Sequence, residues 1–477
     1  MKQSIFKHCI FILLTFSMLL GCKKDDVTDN KTEATALTRK VNGFIKDVMS
    51  DVYLWSNNLP DIDLNYETDS KAYFNKLLYK DDKWSYITDN VDEWENSLNG
   101  IEKAYGYSLT FGRFVDSKGA ATGNYFAIVE YVYPDTPAQK AGFIRGSVIT
   151  QVNGANITTN NYMNLISSDH VTATLGNLSS TGISNAGTVS MTAEELNLDP
   201  VLLYKVIEKE NHKIGYLFYA QFIENYNPSL QKALEYFKSN QITDLIVDLR
   251  YNLGGQISAA KYLCSSIAPL TTVNSGKTLA TYQWNDKYQN IWTTEKMTDY
   301  TTVTFDKTVP VQLGLNKVTI LTGRGTASAS ELTITGLQPH MNVEMVGDTT
   351  SGKYTASITI KPEDIYQNES SYSDFKNWGI QPIVLRYANA NGVTNFKDGF
   401  APTYLVTDEL LPAQPLGDLS EPLLKKAVEN ITGVKIAALK SATQKFSFKV
   451  FDRRFSKFDP IIRNMPFKPD QLFKKNN

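Results

Sequence analysis

Val318-Thr319-Ile320-Leu321-Thr322-Gly323-Arg324-Gly325-Thr326-Ala327-Ser328-Ala329-Ser330-Glu331-Leu332 is the stretch from which the rest of the chain can be read. Val318 to Thr322 is a short apolar run of the kind buried on both faces of a parallel sheet. Small residues follow as far as Ser328, and then an apolar helical pattern begins. A turn of small residues between strand and helix projects a serine from the end of a sheet with little steric cover. The helix N-terminus adds free backbone N–H groups and a positive dipole end, both suited to an oxyanion. Taken alone, such a turn is more commonly a plain helix N-cap. Ser328 becomes a candidate nucleophile only if a base can reach it.

The neighbouring loop supplies one. Gly347-Asp348-Thr349-Thr350-Ser351-Gly352-Lys353 follows another strand-like run, Val343 to Val346. Loops after successive strands of a parallel sheet lie at the same edge, which could bring the Lys353 amine near the Ser328 hydroxyl. A loop lysine is usually a solvated charge. It can act as a general base only where burial leaves a neutral amine. The same loop fits the spacing of a phosphate-binding loop, but Tyr354 stands where Ser or Thr is required and no helix pattern follows. Histidine is scarce: beyond the leader only His170, His212 and His340 remain, and His340 lies about three turns along the helix from Ser328.

Working outward, residues from about Pro200 to Tyr404 read as β/α. Lys213 to Tyr219 and Leu245 to Leu249 are strand-like, and Leu230, Ala233, Leu234 and Phe237 form a helical stripe after Asn227-Pro228. Upstream, Tyr107 to Phe111 and Tyr125 to Val129 have strand lengths. Then come Tyr133-Pro134-Asp135-Thr136-Pro137-Ala138-Gln139-Lys140-Ala141-Gly142-Phe143 and Gly146-Ser147-Val148-Ile149-Thr150-Gln151-Val152-Asn153-Gly154. Pro137 suits the first turn of a short helix, Gly142 its end, and Asn153-Gly154 a tight hairpin. This run resembles a bacterial PDZ domain, with Ser147 at the usual Asp. The resemblance implies a groove that captures a peptide C-terminus as an added strand, with Tyr105-Gly106-Tyr107-Ser108 as the carboxylate-binding loop. Still earlier, Val41, Phe44, Ile45 and Val48 share one helical face, and Tyr73, Phe74, Leu77 and Leu78 mark a second helix. This part is expected to be a small helical cap carrying no chemistry.

The first residues read as a leader. Lys2 and Lys7 precede an apolar run, Ile10 to Leu20, of about a dozen residues, too short to span a bilayer comfortably. Leu19-Leu20-Gly21-Cys22 resembles a bacterial lipobox, with Cys22 as the lipidated residue, and a polar tether follows. Its acidic residues resemble the surface-export signal of Bacteroidetes lipoproteins. Of three cysteines only Cys264 would then remain, so no intramolecular disulfide can form. Cys264 lies in an apolar helical stretch and reads as packing. No Cys or His pair has metal-ligand spacing, so no metal or other cofactor is expected. The net charge of −2 gives no basic excess for a nucleic-acid partner.

Three motifs then come together. Thr326-Ala327-Ser328-Ala329-Ser330-Glu331, the Lys353 loop placed 353 − 328 = 25 residues on, and Asp248-Leu249-Arg250-Tyr251-Asn252-Leu253-Gly254-Gly255 resemble, in order and spacing, those of the C-terminal processing (tail-specific) peptidases. The resemblance covers roughly residues 80 to 410, an extent set by motif placement. It implies a crotonase/ClpP-like peptidase core and a Ser-Lys dyad of Ser328 and Lys353. It also implies an oxyanion site from the N–H groups of Ala329 and of Gly254 or Gly255. Asp248 and Arg250 would anchor the glycine loop. Ser357 stands where many members carry a Gln thought to orient the lysine.

The expected architecture is a multidomain α/β and α+β protein. It comprises a signal peptide (1–21), a tether (22–36), a helical N-terminal domain (37–96), a PDZ domain (97–195), a peptidase core (196–407) and a basic helical end (408–477). The expected activity is that of a serine endopeptidase acting on envelope or extracytoplasmic polypeptides selected by their C-terminal tails. The expected location is the cell envelope, periplasmic or at the outer membrane or cell surface, anchored by a lipid on Cys22. Two other readings are a peptide-binding scaffold with weak or no turnover and an esterase using the same serine. The sequence says nothing of oligomeric state.

Overall fold

The apolar runs that follow one another in sequence lie side by side in a six-stranded sheet of the computed structural model, which describes residues 32–116, 118–179, 182–437, 448–454 and 456–458. The expected signal peptide, Cys22 and most of the tether lie outside the described residues. Across the sheet the order is Val201–Lys209, His212–Tyr219, Asp244–Asp248, Lys317–Thr322, Asn342–Gly347 and Tyr404–Leu405. The first pair is antiparallel and every other pair parallel.

Both faces of this sheet are covered, which is why its strands read as unbroken apolar runs rather than alternating ones. Leu217, Tyr219, Val247 and Ile320 face one side. There they share one core cluster with the helices Asn227–Ser239, Ile257–Ile267 and Ala329–Leu337, a cluster that extends to the N-terminal helix Ala36–Asp51. Tyr216, Phe218, Ile246, Leu321 and Val346 face the other side, against Leu423, Leu424, Ala427 and Val428 of the helix Pro422–Thr432. A second, antiparallel sheet packs beyond the helix Ala329–Leu337, in the order Thr302–Thr304, Thr278–Trp284, Ile383–Asn389, Thr355–Ser357. The N-terminal helices form the expected cap, with Val41, Phe44, Ile45 and Val48 buried on one face.

The upstream module has its own core of Tyr105, Tyr107, Phe111, Val129, Ile149 and their neighbours. Its turns follow the local chemistry. Pro137 opens the helix Pro137–Lys140, and Gly142, at φ 85°, follows its end. Asn153 and Gly154 both take positive φ between Val148–Val152 and Ala155–Asn156, as a type I′ turn demands. Ser147, at the usual Asp position, keeps a turn contact: its Oγ accepts the Ile144 N–H at 3.0 Å.

The C-terminal end differs from the helical reading. It does hold the helix Pro422–Thr432, but Phe448–Arg454 is a strand, paired antiparallel with the module's Tyr107–Val115. Phe448, Val450 and Phe451 make this stretch strand-like once an open sheet edge is present, and no helical spacing competes with it.

Candidate active site

Ser328 is the N-cap of the helix Ala329–Leu337, with φ 57° and ψ −112°. These are the angles of the first central residue of a II′ turn, where glycine is usual. Holding a serine there costs about 1–3 kcal/mol, and a set of specific contacts maintains it. Glu331, one helical turn on, accepts the Ser328 N–H at 2.9 Å. Thr326 Oγ1 donates to Leu249 O, and Ala327 N and Ser330 Oγ both donate to Asn252 O. The serine turn is therefore stitched along the segment Leu249–Asn252.

Glu331 also holds the lysine loop. Its two oxygens accept Thr350 Oγ1 at 2.6 Å and the N–H groups of Gly352 and Lys353, each at 2.7 Å. One buried carboxylate thus fixes the backbones of Ser328 and Lys353 from the same point. Burial pushes its pKa up, and the Thr350 and backbone hydrogen bonds oppose that rise. From the opposite side the Tyr387 hydroxyl lies 3.0 Å from Ser328 O and 2.9 Å from Lys353 O, a second bridge between the two segments. Both side chains are withdrawn from water: Ser328 is 2% exposed and Lys353 1%.

Above the lysine stands a residue that sequence reasoning passed over. Trp84, from the cap expected to carry no chemistry, places its ring centroid 4.3 Å from Lys353 Nζ. Asp82 holds the ring's turn in place by accepting the N–H groups of Trp84 and Ser85, each at 2.9 Å, and the hydroxyls of Ser85 and Tyr53. An aromatic next to a compact Asp-Lys-Trp-Ser turn was visible in the sequence; nothing local said what it faces. Ser357 is buried in the strand Thr355–Ser357, which begins two residues beyond the lysine.

The glycine loop meets the N-terminus of the helix Ala329–Leu337. A Cβ on Gly254, at φ 105°, would lie 2.8 Å from Ser328 Cβ and 3.0 Å from Ala329 N. A Cβ on Gly255 would lie 2.1 Å from Phe222 O. The approach admits no side chain at either position. The two glycines are not equivalent, however: the Gly254 N–H donates to Asn252 Oδ1 at 2.8 Å. Gly254 is thus the glycine that lies against Ser328 and Ala329, with its N–H engaged by Asn252, while Gly255 lies against the Phe222 backbone. Asn252 in turn donates its Nδ2 to Tyr219 O.

Asp248 and Arg250 anchor this loop. Arg250, fully buried, donates to Asp248, Glu421 and Asp408. Tyr105, Gly106, Tyr107 and Ser108 lie elsewhere, at the start of the module strand Tyr107–Val115. Tyr107 Oη donates to Leu165 O at 2.6 Å, and Ser108 Oγ to the buried Glu130 at 2.8 Å. His340 Nε2 contacts Thr278 O, away from the serine turn. Burial pushes the Cys264 thiol up to about 12, which suits packing rather than attack.

The chain is similar to known proteins in its core, its N-terminal part and its upstream module. Residues 213–406 match Peptidase family S41, residues 40–86 the Peptidase S41 N-terminal domain and residues 128–174 a PDZ domain. The carboxy-terminal processing protease CtpB of Bacillus subtilis is 24% identical over 376 residues, covering 76% of this chain and 70% of CtpB. CtpA of the same organism is 22% identical over 426 residues, covering 88% of this chain and 78% of CtpA. A crystal structure assigned to the S41 proteases, from Bacteroides fragilis, superposes with a TM-score of 0.66 at 26% identity, over 82% of this chain and 98% of that one. The peptidase core, residues 213–406, thus matches peptidase family S41, preceded by matches to that family's N-terminal domain and to a PDZ domain, and the fold is like that of an S41 protease structure.

Proposed function

We propose that the protein is a serine endopeptidase of the carboxy-terminal processing kind, working through Ser328 and Lys353. Lys353 Nζ takes the Ser328 Oγ proton as the oxygen attacks the scissile carbonyl, then gives it to the leaving amine. A water, deprotonated by the same lysine, releases the acyl group. The N–H groups of Ala329 and of Gly254 or Gly255 hold the oxyanion. The carrying observation is Glu331, whose carboxylate binds the backbone N–H groups of both Ser328 and Lys353. The PDZ module would present polypeptide tails along Tyr107–Val115, with Tyr105-Gly106-Tyr107-Ser108 at the end of the groove. The substrates would be envelope or extracytoplasmic proteins, reached by an enzyme tethered through lipid on Cys22.

The test uses hydrolysis of an unfolded protein together with an acylating probe. Ser328→Ala and Lys353→Ala should each lower turnover by a factor of about 10³ or more, as for other dyad and triad members, and Ser328→Ala should abolish labelling. Unchanged cleavage in both variants would sink the dyad. A probe that fails to label the parent chain would instead favour the scaffold reading, for which Ser357 in place of Gln is the supporting feature. An esterase would show the reverse preference, for ester over peptide substrates.

A further inference from the structure

The sheet edge on which a PDZ groove would receive its peptide is already filled. Phe448–Arg454 adds to Tyr107–Val115 as an antiparallel strand, with Phe448 opposite Phe114 and Arg454 opposite Leu109. Its later residues therefore point towards Tyr105–Ser108, the polarity of a captured C-terminal tail. The segment does not stop there: Ser456 Oγ donates to Glu102 at 2.8 Å, and the Phe458 ring meets Trp94 edge-on at 5.4 Å.

Its side chains meet matched partners. The Phe451 ring sits 4.9 Å from Tyr125, 5.2 Å from Tyr162 and 6.0 Å from Phe111. Asp452 accepts the Tyr162 hydroxyl at 2.7 Å. Arg453 reaches Glu130 at 3.0 Å, a carboxylate only 2% exposed that also accepts the Ser108 and Thr110 hydroxyls. A buried carboxylate facing the groove is costly without a cation, so the groove carries its own demand for a basic residue. The fit is nevertheless open: Val450 stays 42% and Phe451 38% exposed. Half-exposed contacts on a covalently attached strand describe an occupant that is held by proximity and can leave.

We propose that the strand Phe448–Arg454 is the resident ligand of the PDZ groove, and that substrate chains enter only by displacing it. The preferred substrate carries an aromatic residue followed two positions later by an arginine, as Phe451 and Arg453 do. This rests on the reading of the module as a tail-binding PDZ domain. The strand also reaches towards the catalytic side. Arg453 and Arg454 line one crevice with Leu253 and Gly325, and the Arg453 guanidinium lies 5.8 Å from the Tyr251 ring. Displacement would thus clear the groove and the approach to the serine turn together.

The test is made in the full chain. A labelled peptide of residues 448–458 is titrated into Ser328→Ala and into the same chain carrying Phe451→Asp and Arg453→Glu. The groove-emptied protein should bind it at least ten-fold tighter, and should lose that gain when the peptide's own Phe and Arg are replaced by Ala. With Ser328 present, the emptied protein should cleave an unfolded substrate several-fold faster. Because those substitutions could disturb folding, Arg113→Cys with Lys449→Cys, facing positions in the register, gives a second arm. Oxidation should close the groove to the peptide and slow cleavage, and reduction should reverse both. Equal peptide binding by parent and emptied chains, or an oxidised form as active as the reduced one, overturns the proposal. The binding arm is read without Ser328, so failure of the dyad would leave it decisive.

Discussion

Trp84 and Glu331 show how single side chains set the conditions for chemistry. A lysine serves as a base only when neutral, and exclusion of water favours that form. Trp84 covers Lys353, its ring centroid 4.3 Å from Nζ, so Trp84→Ala should admit water beside the amine and lower kcat several-fold with little change in KM, read by steady-state kinetics. A purely structural tryptophan would lower thermal stability and leave the kcat of the folded protein unchanged. For Glu331 the prediction is one of stability. Gln keeps one acceptor but turns an NH₂ towards a ring of N–H donors, so Glu331→Gln should cost about 1.5–3 kcal/mol in urea unfolding, the range for hydrogen bonds to charged groups, and should depress turnover as well. Ser328 and Lys353 could be picked from the sequence, because each sits in a short segment whose residue types suit a turn; Glu331 stood inside the motif with no role attached to it. Trp84 could not: the contact spans more than 250 positions of sequence, and the local pattern around it is only that of a cap.

At the level of elements, the parallel strands and their following loops were legible because both sheet faces are covered and the apolar runs are uninterrupted. The small-residue turn and the paired glycines were legible for the opposite reason, since they mark where backbones approach without room for a Cβ. Gly254→Ala tests that reading. Its methyl would meet Ala327 O and Ser328 Cβ at 2.8 Å in a left-handed conformation. Turnover should therefore fall by a factor of about 10² or more, comparable to misplacing a reactive group by about 1 Å, with a smaller loss of thermal stability. Tyr387→Phe removes the hydroxyl that bridges Ser328 O and Lys353 O while keeping the ring. A loss of about 1 kcal/mol in stability is expected, with a drop in kcat rather than a rise in KM. The tail strand was not legible. An edge strand pairs with whatever edge is open, and its partner lies more than 330 residues earlier.

Across the whole molecule, one charged cluster joins the PDZ module to the peptidase core. Arg145 of the module contacts Asp408 at 2.7 Å and the Tyr251 hydroxyl at 2.6 Å, and Arg250 of the core meets Asp408 at 3.2 Å. Burial would push the Asp408 carboxyl up, but Arg145 and Arg250 outweigh it and hold the group well below the usual carboxylate range. A depressed carboxylate contributes stability above its unfolded pKa and loses it as pH falls through and below that value. Asp408→Asn should therefore destabilise the protein at pH 7 by about 3 kcal/mol, the range for breaking a buried pair. The gap between parent and variant should narrow below about pH 4, where unfolded aspartate takes up its proton, as measured by urea unfolding across pH.

Tyr251 belongs to two neighbourhoods at once. Its ring lies near the guanidinium groups of Arg145 and Arg453, and the next residue, Asn252, holds the Gly254 N–H and the serine turn. A residue shared in this way offers a route between the groove and the serine turn, and any coupling between two binding sites is reciprocal. If departure of the tail strand changes the affinity of the Ser328 site for a bound inhibitor by some factor, that inhibitor must change the tail's hold on the groove by the same factor. Filling one end of the molecule would then be readable at the other.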